Sequence, residues 1–170
     1  MEDLYYCFEN YPTLPPPLFA DALNATYKEH FHPHDFRGTK CSFNDSKFMQ
    51  ILKQNIGEVT ALWIKNPPNT FYNWHIDKDI RKCSINFVIK QGDNAVALYR
   101  KPMYDVKEII YYKTHTVKYI IGKPTILNVK KEHCVVNPCN EERIILSLCV
   151  RESSYEDTLS FMKTLNITEY

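Results

Sequence analysis

After Gly57 the sequence changes period, and that change restricts the fold more than any other feature. The runs VTALWI, CSINFVI, AVALY, EIIYY, TVKYII, PTILNV, HCVV and RIILSLCV are short and rich in Val, Ile, Tyr and Thr. Turn or charged residues separate them: Asn-Pro-Pro-Asn, Gln-Gly-Asp-Asn, Gly-Lys-Pro and Asn-Pro-Cys-Asn. With the stretch around His75 they amount to about nine strands, and no helical pattern intervenes. β-branched and aromatic side chains suit a pleated, half-buried surface. Many short strands joined by turns form an antiparallel sandwich or barrel.

Helices flank this body. The opening segment through Pro17 is proline-rich and reads as extended chain laid over the fold. A first helix is expected over about Pro17 to His30, with Leu18, Phe19, Ala22, Leu23 and Tyr27 on one stripe. A second, KFMQILKQNI, has Asp45 or Ser46 as its cap and stops at Gly57. A closing helix starts at the capping box Ser154-x-x-Asp157 and covers DTLSFMKTL. The expected organisation is one domain over 1–170: an extended segment and helices in 1–58, a β core in 59–150 and a helix in 151–170.

Composition sets the remaining bounds. Formal net charge is +1, so no broad field argues for nucleic acid or an anionic membrane as partner. The start, MEDLYYCFENYPTLPPP, has no basic segment followed by an apolar run and does not read as a secretory signal. No apolar stretch approaches a membrane span. The expected location is the cytoplasm, where the six cysteines are reduced thiols. No Cys-x-x-Cys pair is present, which argues against a structural zinc site.

Within the strand region three residues stand out. His75 and Asp77 form a His-x-Asp, and side chains two apart on a strand point to one face. His133 heads a later strand. Two imidazoles and a carboxylate leave three octahedral positions open, the facial arrangement suited to iron(II). Arg143 follows on the next strand, where a guanidinium makes the bidentate pair that carboxylates favour.

The run WHID followed by HCVVNPCNEERIILS resembles the iron(II)- and 2-oxoglutarate-dependent oxygenases, with their His-x-Asp, distal His and later basic residue. The stretch KNPPNTFYNWHIDKDIRKCSINFVI looks like the aspartyl/asparaginyl hydroxylase-like branch and its phage relatives. The resemblance covers residues 59–150. It implies a double-stranded β-helix, or jelly roll, with iron(II), 2-oxoglutarate and dioxygen, and ascorbate as an optional reductant. Carried over by residue, His75, Asp77 and His133 match the iron ligands and Arg143 the cosubstrate clamp. Many relatives have Arg-x-Ser, whereas position 145 here is Ile. Ser147, Tyr72 or Tyr99 is then left to assist Arg143.

Further candidates are Arg81, read as holding a carboxylate of cosubstrate or substrate, and Asn86, Tyr99 and Trp74 as pocket residues. The segment HFHPHD, with His30, His32, His34 and Asp35, is a rival metal candidate, read as exposed imidazoles near a helix end. Segments 30–48 and 99–108 read as loop-rich lids. The implied reaction is hydroxylation of a C–H bond in a small molecule or an amino-acid or peptide side chain, releasing succinate and carbon dioxide. Two rival functions stand beside it. One is a non-catalytic jelly-roll binding protein. The other is a cupin-type isomerase, disfavoured because the chain has only four glycines, none beside His75. Frequent Lys, Asn, Ile and Tyr hint at an AT-rich genome such as that of a phage.

Overall fold

The computed structural model describes residues 3–27, 29–31, 36–78, 80–106, 109–167 and 170. Two antiparallel sheets face each other. The larger has the order β1-β9-β6-β11-β4-β3-β2 and the smaller β5-β10-β7-β8. Their ranges are β1 Tyr5–Cys7, β2 Glu29–Phe31, β3 Phe36–Lys40, β4 Val59–Asn66, β5 Thr70–His75, β6 Cys83–Lys90, β7 Val96–Val106, β8 Ile109–Thr116, β9 Pro124–Leu127, β10 His133–Asn137 and β11 Arg143–Val150. Three helices, α1 Pro16–Asn24, α2 Lys47–Ile56 and α3 Tyr155–Thr164, accompany the large sheet. This is the jelly-roll arrangement of a mainly β chain.

Strand β11 lies between β6 and β4, and every one of its residues is buried. That explains its unbroken apolar run: a strand covered on both faces has no reason to alternate polar with apolar. Its two faces differ in what they meet. Ile144, Leu146, Leu148 and Val150 join Phe48, Met49, Leu52 and Ile56 of α2 and Leu159 and Met162 of α3 in the main core. Arg143, Ile145, Ser147 and Cys149 face the smaller sheet and line the cavity between the two.

The helix caps follow their local chemistry. Ser46 accepts from the Met49 N–H at 3.2 Å, and Gly57 ends α2 at φ +81°. Ser154 accepts from the Asp157 N–H at 3.1 Å while its hydroxyl donates to the Asp157 carboxylate at 2.7 Å. Helix α1 is shorter than its stripe: it ends at Asn24, Ala25 is extended, and residues 29–31 form β2.

Three further expectations are corrected. The run TVKYII is a strand only at Thr116; beyond it the Val117 N–H bonds to Ala97 and the Gly122 N–H to Val88, so the segment crosses between elements. Residues 36–40 are strand β3, and 99–106 continue β7. A register irregularity between Pro102 and Tyr104 accommodates the proline within this strand. Strands β1, β2 and β3 also bring the N-terminal part into the large sheet, paired with β9 and β4. Residues 32–35 lie outside the described residues, as does the side chain of His30, so the HFHPHD segment is not placed. All six cysteines are free thiols.

Candidate metal centre and cavity

Strand β5 ends at His75, which pairs with His133 at the head of β10. The register shifts between His133 and Val135, because Val135 pairs with Tyr72 rather than Asn73. The extra residue on β5 is a bulge. It lets Tyr72 and His75, three apart, both line the cavity while Trp74 does not. Beyond the strand, the Asp77 N–H donates to Val129 O at 3.0 Å and the Lys130 ammonium to Asp77 O at 2.9 Å. These bonds fold Asp77 back beside the histidines.

The ligand atoms of His75, Asp77 and His133 lie within 4.8 Å of one another. Asp77 Oδ1 is 3.3 Å from His75 Nε2 and 3.9 Å from His133 Nε2. Each ring is held by its other nitrogen: His75 Nδ1 bonds to Asn73 O at 2.7 Å and His133 Nδ1 to Lys131 O at 2.9 Å. A carbonyl only accepts, so both Nδ1 atoms carry the proton. Both Nε2 lone pairs are thereby directed at the shared space, the tautomer a metal requires. Burial, with His75 next to it, pushes the His133 pKa down to about 4, against the pull of Asp77. Burial raises the Asp77 pKa, but its close contact with His75 and the Arg81 guanidinium 3.4 Å away prevail and leave it low. The trio therefore offers a neutral His133 imidazole, the His75 imidazole and a carboxylate, a donor set that fits a divalent metal of the iron(II) type.

The trio opens into a cavity of about 340 Å³. Its inner end is Arg143, only 1% exposed. The guanidinium donates to Gln91 Oε1 at 3.1 Å and Asn66 Oδ1 at 3.3 Å, and lies 5.1 Å from the Tyr119 ring centre. None of these partners is charged. The adjacent acids are engaged elsewhere, Glu142 by Lys65 at 2.9 Å and Glu141 by Lys90 at 3.3 Å. Among the described residues Arg143 Nη2 has no hydrogen-bond partner, nor has the buried hydroxyl of Tyr99. A buried cation without a counter-charge costs several kcal/mol. An anion is what this end of the cavity lacks.

Other candidates are sorted by position. Tyr72 packs on His75 with ring centres 4.0 Å apart, at the metal end. The Ser147 hydroxyl is 3.1 Å from that of Ser84, and Ser147 lies four residues along β11 from Arg143, about 13 Å. Arg81 sits farther still: its Nε donates to Cys149 Sγ at 3.2 Å and its Nη1 lies 3.4 Å from Asp77 Oδ2. Arg81, read as holding a carboxylate of cosubstrate or substrate, thus stands apart from Arg143, with Tyr72 at the metal end and Ser147 farther along β11. Tyr99, the remaining choice, has the unpartnered hydroxyl. Asn86 lines the cavity as expected. Trp74 does not: it lies on the outer face with the Arg100 guanidinium 4.7 Å from its ring. Asn66, Gln91, Tyr119 and Ser84 were missed because they meet the site through strand register, which one sequence does not display.

No family model matches the sequence, and no curated protein does. Solved structures do. A Pseudomonas putida prolyl-4-hydroxylase superposes with a TM-score of 0.56 at 14% identity, covering 88% of this chain and 93% of its own. A Burkholderia pseudomallei oxidoreductase of the 2OG-Fe(II) oxygenase family gives 0.58 at 12%, covering 91% and 88%. A Trichoplax adhaerens prolyl hydroxylase, in complex with a peptide fragment of the hypoxia inducible factor oxygen degradation domain, gives 0.59 at 11%, covering 93% and 87%. The chain thus shares the fold of the 2OG-Fe(II) oxygenases.

Proposed function

We propose that the protein is an iron(II)- and 2-oxoglutarate-dependent dioxygenase that hydroxylates a C–H bond of a small molecule or of an amino-acid or peptide side chain. The observation that carries this reading is Arg143, buried without a counter-charge among the described residues in the same cavity as His75, Asp77 and His133. His75, Asp77 and His133 would hold the metal on one side, leaving the cavity side open to ligands. When bound, iron(II) supplies the redox chemistry that couples decarboxylation of 2-oxoglutarate to oxidation of a substrate C–H bond. Arg143 binds the distal carboxylate of the cosubstrate through Nη2. The Tyr99 phenol, its pKa raised well above normal by burial, stays protonated and donates to the same group. Ile64, Ile145, Leu127 and Val135 exclude water around it.

The jelly-roll neighbours support the reaction class through the fold alone. The Trichoplax complex pairs this fold with a peptide in that protein, which supports keeping peptides among the substrate classes proposed for this chain. The resemblance of residues 59–150 to the aspartyl/asparaginyl hydroxylase-like branch remains a reading of sequence.

The test is an anaerobic titration with iron(II) and 2-oxoglutarate, monitored for the weak visible charge-transfer band of the chelate. The band is expected in wild type and lost in His75→Ala, with Arg143→Ala requiring far more 2-oxoglutarate. Iron binding without any band overturns the cosubstrate assignment. A band without succinate release on any C–H substrate supports the non-catalytic reading.

A further inference from the structure

The end of the cavity opposite Arg143 is also polar, and the cosubstrate leaves it unexplained. On β11 and β6, Ser147 pairs with Asn86 and Cys149 with Ser84. Ser84 donates to Asn86 Oδ1 at 2.7 Å, and the Ser84 and Ser147 hydroxyls are 3.1 Å apart. With Oδ1 tied to a donor, the orientation of the Asn86 amide is fixed and its Nδ2 is turned away from Ser84. Asn86 is 6% exposed and lines the cavity, where its Nδ2 hydrogens meet no acceptor among the described residues. An occupant that brings an acceptor gives this cavity-facing amide its hydrogen bond.

Arg81 stands at the same end. Cys149 meets its Nε and Asp77 its Nη1, and the five N–H groups of the guanidinium leave others for the cavity it lines. Lys78 adds a second cation at the mouth, next to Ile80, which is 66% exposed. Asn86 lies opposite Ser147, four residues of strand or about 13 Å from Arg143. A diacid with its distal carboxylate on Arg143 and its other end taken by the metal leaves the Asn86 and Arg81 donors to a second ligand.

Resting on the oxygenase reading, we propose that Asn86 and Arg81 form a second carboxylate subsite, which anchors an acidic substrate. Asn86 donates to one carboxylate oxygen and Arg81 supplies the positive charge. Arg81 touches Asp77 of the metal trio, so an acid held there keeps its C–H bonds beside the metal site. The carboxylate belongs either to an acidic side chain in a peptide or to a free small acid, and both present the same chemistry to the subsite.

Saturation-transfer NMR on the probe protons tests this without turnover, using metal-free full-length protein with 2-oxoglutarate in excess to occupy the Arg143 end. Three probes are compared: N-acetyl-aspartate methylamide, N-acetyl-alanine and N-acetyl-leucine methylamide. Binding by the first identifies a side-chain carboxylate in a peptide-like frame, and binding by the second a free acid. The neutral third is expected not to bind. Asn86→Asp keeps the acceptor for Ser84 and replaces the donor with a negative charge. It should weaken the bound acid about tenfold or more and change 2-oxoglutarate affinity by less than about twofold. Arg81→Lys, which retains the charge, should weaken it less than Arg81→Gln. Equal binding of the neutral probe, no binding of either acid, or no effect of Asn86→Asp overturns the subsite. So does acid binding that disappears with 2-oxoglutarate present or in Arg143→Ala, since the acid would then occupy the cosubstrate end. Should 2-oxoglutarate fail to bind while Asn86→Asp still abolishes acid binding, the oxygenase reading falls and the subsite stands.

Discussion

His133 is the more enclosed of the two histidines facing Asp77, at 10% side-chain exposure against 20% for His75. Its pKa of about 4 in the folded chain lies below the ordinary 6.5 of an unfolded one. Between those values the unfolded chain takes up a proton that the folded chain refuses, so stability rises with pH across the window and falls as pH drops through it. Metal-stripped protein should therefore lose about 2 kcal/mol between pH 7 and pH 5 on this account. His133→Gln should flatten that part of the profile in urea titrations. An unchanged slope in the variant would mean that another group carries the dependence. Arg143 is the other residue with a stability signature. Arg143→Met removes an unneutralised buried charge, so it should leave the apo protein at least as stable while abolishing 2-oxoglutarate binding. Thermal melts with and without the cosubstrate check both halves.

At the scale of elements, α2 and α3 test the capping chemistry. Gly57 sits at φ +81°, and a Cβ there would meet the Glu152 side chain at 2.0 Å. Gly57→Ala should cost about 1–3 kcal/mol, and Ser154→Ala about 1 kcal/mol, both read from denaturant midpoints. The two caps were legible in the sequence because capping is local: a serine, a glycine and their neighbours suffice. The same holds for β4, β6, β9, β10 and β11, whose residues are mostly β-branched, aromatic or other apolar side chains. Strand β3, with the sequence FRGTK, carries no alternation and is made a strand by its pairing with β4. Residues 117–121 have the composition of a strand, yet Tyr119 is drawn to Arg143 instead. In both places tertiary contact overrides propensity.

For the whole molecule, the metal trio was legible because its residue types and order suffice to suggest it. The two ends of the cavity were not, because they depend on which strands lie side by side. Arg143 meets Asn66 across β4 and Gln91 just beyond β6, and Asn86 meets Ser147 across β11. Joining these strands through one ligand links occupancy to global stability. Manganese(II), a redox-quiet substitute, given together with 2-oxoglutarate at a hundredfold excess over Kd, adds about 2.7 kcal/mol. For a chain of this length that raises Tm by about 5–10 °C. Asp77→Ala should show little of the increment.

The bulge on β5 also turns Trp74 away from the cavity, so it sits in surroundings unlike those of Trp63 on β4. Trp63 is 2% exposed in the core against the helices, while Trp74 lies outside the cavity wall beneath Arg100. Their fluorescence is therefore a pair of separate reporters. A collisional quencher in solution should dim the Trp74 emission and leave the bluer Trp63 emission, so loosening of the outer sheet face and melting of the core become distinguishable in a single cuvette.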